Sequence, residues 1–86
     1  MNKTEENSSI GLRLTQERKR LGYNQVTLSA KAGISSATQI SYEADGTRPD
    51  ADYLCALNEL GADIFYIITG EQLEALTAED AHARFI

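Results

Sequence analysis

One cysteine, one histidine and one proline among 86 residues exclude several kinds of protein at once. Cys55 has no second thiol to pair with, so no internal disulfide holds the fold. With His82 it is also too small a ligand set for a structural metal. No run of about 18 apolar residues occurs, and no membrane span is expected. Residues 1–7 are polar and acidic, unlike a signal peptide. No nucleophile–base pair or phosphate-cradling loop stands out, so neither an enzyme nor a cofactor is expected. What remains is a small cytoplasmic domain, near the lower size at which a chain buries a core unaided.

Charge is the next scarcity, because the chain carries a net −5. The sign is unevenly spread. Residues 10–48 hold Arg13, Arg18, Lys19, Arg20, Lys31 and Arg48 against Glu17, Glu43 and Asp45, a net +3. Residues 49–86 hold eight acids against Arg84, a net −7. A half that attracts phosphate and a half that is repelled by it follow from that split.

The pattern of apolar residues reads as all-α, without internal repeats. Residues 1–8 lack an apolar pattern and are expected to be a disordered tail; residues 9–70 form the domain, and residues 71–86 a short extension. Ser9 caps a first helix with Ile10, Leu14 and Leu21 on one stripe, stopped at Gly22. Asn24 caps a second, residues 25–32, with Val26, Leu28 and Ala32 expected inward. Gly33 breaks it, and Ser35 caps a third helix running to about Ala44. The loop 45–49 is dense in turn formers, and Pro49 bars a helix across it. Asp50 or Asp52 caps a fourth helix and Asp63 a fifth, residues 64–68. The β-branched content of that last segment also suits a strand, but none is available to pair with it. Tyr42 and Tyr53 are expected in the core, Cys55 buried or half-buried, and His82 on the surface.

Two short helices joined at Gly33 give the geometry that sends a second helix into a major groove. Helical hairpins with a glycine are common, so spacing alone leaves both readings open. The separated motifs "IG.RL..ER..LG..Q", "L...AGIS", "YE" and "LGADIFYIITG", spread over residues 10–71, resemble the lambdoid phage repressor and Cro class of helix-turn-helix regulators, also called the XRE family. The resemblance implies a five-helix DNA-binding domain in a bacterial or prophage-encoded cytoplasmic regulator. It implies phosphate contact by Gln25, a reading helix with Ser35, Ser36, Ala37, Thr38 and Ser41 exposed, and backbone contact by Thr47 and Arg48. It further implies an ion pair between Arg18 and Glu43.

One position departs from the pattern, because Gln39 stands where an aliphatic residue usually packs helix three onto the core, with Ile40 next to it. Either the helix starts about one residue late and Ile40 turns inward, or Gln39 is buried with a partner. The first is the expectation, since an unpaired buried amide costs a few kcal/mol. Gln39 would then be exposed and able to read adenine. The fifth helix cannot turn all of its large apolar residues inward. Phe65, Tyr66, Ile68 and Leu73 are therefore expected to meet a second subunit. The function expected is a dimeric repressor on a palindromic DNA operator. The alternative is an antitoxin or other protein-interaction module that captures a partner through the acidic half.

Overall fold

Each helix begins where a short polar side chain can take up an orphan backbone N–H. In the computed structural model, which describes residues 8–72, that occurs five times. The side chains of Ser9, Asn24, Ser35, Asp50 and Asp63 accept from the backbone N–H of Leu12, Thr27, Thr38, Tyr53 and Tyr66. The helices they open are α1 (Ile10–Arg20), α2 (Gln25–Ala32), α3 (Ser36–Glu43), α4 (Ala51–Glu59) and α5 (Ile64–Thr69). No strand occurs among the described residues, so residues 64–68 take the helical option.

The fold is all-α, with α1 packed on α3 and α5, α2 on α3 and α4, and α4 on α5. Leu14, Leu28, Tyr42, Tyr53, Leu57, Ala62 and Ile67 form the core. Tyr42 and Tyr53 meet edge to face at 4.8 Å between centroids, the arrangement that the ring quadrupoles favour. Ile10, Leu21, Tyr23, Ala32, Ile34, Leu54, Leu60 and Ile64 close around that centre, half-buried.

Three expectations about burial are corrected. Val26 is 66% exposed. Two residues before buried Leu28, it lies about 200° around the helix from it, and Ser29 takes the inward place instead. Cys55 is exposed on α4. The register of α3 is the third: Gln39 is 0% exposed and Ile40 is 50% exposed. The helix starts at Ser36, directly after its cap, and Gln39 is buried with partners. Residues 1–7 of the expected 1–8 tail and residues 73–86 of the expected 71–86 extension, Leu73 and His82 among them, lie outside the described residues.

Candidate nucleic-acid interface

The α2–α3 unit depends on two glycines for different reasons. Gly33 ends α2 with φ +78, a left-handed conformation that side chains with a Cβ rarely adopt. Its amide returns to Ala30 O, and the amide of Ile34 to Ser29 O at 3.0 Å. Three residues thus separate α2 from α3. Gly11 acts at long range. A Cβ there would sit 2.4 Å from the backbone oxygen of Glu43, so only glycine lets α1 lie against the end of α3. The Gly11 N–H donates to Asp45 Oδ1 at 2.9 Å, holding the turn that follows α3.

A buried polar cluster sets the angle of α3 against its neighbours. The Glu43 carboxylate accepts from Arg18 Nε at 2.7 Å and Nη2 at 3.0 Å, and from Thr15 Oγ1 at 2.8 Å. It also accepts from Gln25 Nε2 at 3.2 Å and Gln39 Nε2 at 2.6 Å. Burial alone would raise the Glu43 pKa, but the hydrogen bonds from Arg18, Gln39, Thr15 and Gln25 outweigh it and hold the carboxyl below its ordinary value. The other end of Gln39 accepts from the Tyr53 hydroxyl at 2.7 Å. Burial pushes the Tyr53 pKa up, so that hydroxyl remains a donor. Gln39 is thereby satisfied at both ends, which removes the cost that argued against burying it. The adenine contact expected of it has no exposed amide to make it.

The face that α3 presents to solvent is therefore different from the one expected. Ser36, Ala37 and Ile40 are exposed, one after another along one side. Ser35 is also exposed, but its hydroxyl is shared with Thr38 Oγ1 at 2.9 Å. Ser41 Oγ pairs with Thr47 Oγ1 at 2.7 Å, tying the helix to the loop behind it. Gln25, half-buried at the start of α2, is joined to α3 through Glu43.

Of the six basic residues in the first half, Arg13 and Arg18 are buried in the fold and the other four are exposed. Arg13 donates to the carbonyls of Ile67 and Ile68 and so caps the end of α5. Arg20 pairs with Glu17 and reaches Gly61 O. Lys31 lies 5.7 Å over the Tyr23 ring. Lys19 and Arg48 are exposed, Arg48 on the loop after α3.

Neither a family model nor a curated protein sequence matches this chain. Solved structures do. The P22 c2 repressor in complex with synthetic operator DNA superposes with a TM-score of 0.68 at 27% identity, over 76% of this chain and all of that one. The solution structure of the P22 c2 DNA-binding domain gives 0.66 at 28% identity, over 81% of this chain and 88% of that one. SinR, solved in complex with SinI, gives 0.62 at 27% identity, over 88% and 75%. In fold and in sequence the chain is similar to helix-turn-helix repressors of the lambdoid type.

Sequence reasoning missed four residues, of which Arg13 caps α5 and the other three hold α3 in place. They are Gly11, Arg13, Thr15 and Tyr53 in its role as partner of Gln39. Gly11 and Arg13 stood inside the quoted "IG.RL" motif, the one signal available for them. Among the described residues, no helix is long and apolar enough to cross a membrane, and no His, Cys, Asp and Glu gather to hold a metal.

Proposed function

We propose that this chain is a sequence-specific DNA-binding repressor acting as a homodimer on a palindromic operator, with α3 in the major groove of each half-site. The observation that carries the reading is the match to a repressor solved on operator DNA, across its whole length at 27% identity. Gln25 then meets a phosphate at the positive end of α2. Ser36, Ala37 and Ile40 face the bases, the paired hydroxyls of Ser35, Thr38 and Ser41 border that face, and Thr47 and Arg48 meet flanking phosphates. Gln39 acts from within, as part of the support for α3. Phe65 and Ile68 are exposed on α5 and Tyr66 is half-buried, an apolar side available to a second copy. Leu73, assigned to the same contact, lies outside the described residues.

Selecting bound duplexes from a random pool tests the reading. Two inverted half-sites spaced about one helical turn, roughly 34–36 Å apart, are expected. A pool without enrichment would refute it. Phe65→Asp is expected to give monomers in sedimentation; an unchanged dimer would place the contact elsewhere. A second reading, a protein-interaction module using the acidic half, draws on SinR, which is solved with a protein partner. Under that reading the chain binds DNA weakly at every salt concentration.

A further inference from the structure

The side chains of α3 divide into those already engaged and those left to solvent. Gln39 has both ends bonded inside the fold. Ser35 and Thr38 bond each other, and Ser41 bonds Thr47. No Arg, Lys or Asn occurs within α3, so the bidentate donors that select guanine or adenine are missing from its exposed side. Ser36, Ala37 and Ile40 remain, at spacing i, i+1 and i+4, which places them on one strip. Ile40 is the largest of the three and stands half in water. A branched aliphatic side chain in the middle of a reading helix has one apolar target in the major groove, the C5-methyl group of thymine.

We propose that Ile40, flanked by Ala37, recognises thymine methyl groups, so that this protein selects its site partly by apolar contact. The inference rests on the reading that α3 enters the major groove, and it adds which base α3 selects and by which group. The same face explains how a helix without exposed amides or guanidiniums can discriminate. A·T differs from G·C in the major groove by a methyl group as well as by its donors and acceptors. Ser36 supplies a hydroxyl beside it, able to donate or accept.

The test uses duplexes enriched from a random pool by the full chain, resynthesised with deoxyuridine in place of one thymidine at a time. Uracil keeps every hydrogen-bonding edge of thymine and lacks only the methyl. The expected result is a roughly fourfold loss of affinity for each contacted methyl, the value of one buried methylene-sized group. In Ile40→Ser, the ratio of thymine to uracil affinity at those positions falls to about one. A thermal melt controls for folding, and the midpoint is expected near that of the parent because Ile40 is half-exposed. Equal affinity for thymine and uracil at every position overturns the inference and leaves specific DNA binding standing. So does discrimination that persists undiminished in Ile40→Ser and in Ala37→Gly. Failure to enrich any duplex overturns the underlying DNA-reading role, and this inference with it.

Discussion

Glu43→Ala is the substitution whose cost the structure fixes most closely. The Glu43 side chain is 5% exposed, and that of its partner Arg18 is 10% exposed. Removing the carboxylate leaves the Arg18 guanidinium without its counter-charge and strips an acceptor from Thr15, Gln25 and Gln39 together. Breaking a buried pair in this way costs about 3–5 kcal/mol, because one charge stays buried and uncompensated. A domain of this length has roughly 4–13 kcal/mol of total stability, so about a quarter or more of it is lost. Each kcal/mol lowers the melting midpoint by about 4–8 °C at this size, which makes the expected drop at least about 12 °C. Circular dichroism during thermal and urea unfolding reads it directly. A loss below about 1 kcal/mol, the range of exposed ion pairs, would refute the buried-cluster reasoning. The double variant Arg18→Leu with Glu43→Leu gives a second check. Removing both charges is expected to restore part of the loss, since an apolar replacement often matches a buried pair.

The remaining expectations address other parts of the same scaffold. Gly11→Ala pushes a Cβ to 2.4 Å from a backbone oxygen, so α1 must move off α3; a destabilisation of about 1–3 kcal/mol is expected in urea titration, and a neutral result would contradict the close approach. Tyr53→Phe leaves the Gln39 carbonyl buried without a donor, at a cost of about 1–3 kcal/mol; adding Gln39→Leu is expected to cost less than the two single changes together. Hydrogen bonding to Arg20 and to the Asp63 amide holds the Glu17 carboxyl below its ordinary value despite its burial, as the cluster does for Glu43. Both groups have folded pKa values below their unfolded ones. Their contribution is therefore complete above about pH 4.5 and disappears as pH falls through the lower folded values. The urea midpoint should fall across that acidic window, and a flat midpoint there would contradict the assignment.

Much of the scaffold was legible because the signals are local. A cap is recognised from a residue and the three that follow it, and the five capping side chains, from Ser9 to Asp63, act within that distance. Gly33 marks the turn for a similar reason. The α3 register was not legible in this way. Gln39 is stabilised in the core by Tyr53, fourteen positions away on another helix, and by a carboxylate that is itself held from α1. Local reasoning could price the burial of an amide but could not see the partner that offsets it. The basic half shows the same limit. Arg13 counts as surface charge in a sequence and serves as an internal donor in the fold, whereas the Arg18 pair with Glu43 was implied by the family resemblance alone. The α3 helix carries no basic residue of its own, and its exposed side is apolar and hydroxyl in character, with Ile40 its largest residue.

The most direct test of DNA reading by the α2–α3 face compares the affinity for a selected duplex with that for a scrambled one across a salt titration. A sequence reader binds the selected duplex about 10³–10⁷ times more tightly at physiological salt, and both affinities fall steeply as salt rises. Equal affinity for the two duplexes, or binding indifferent to salt, would contradict it.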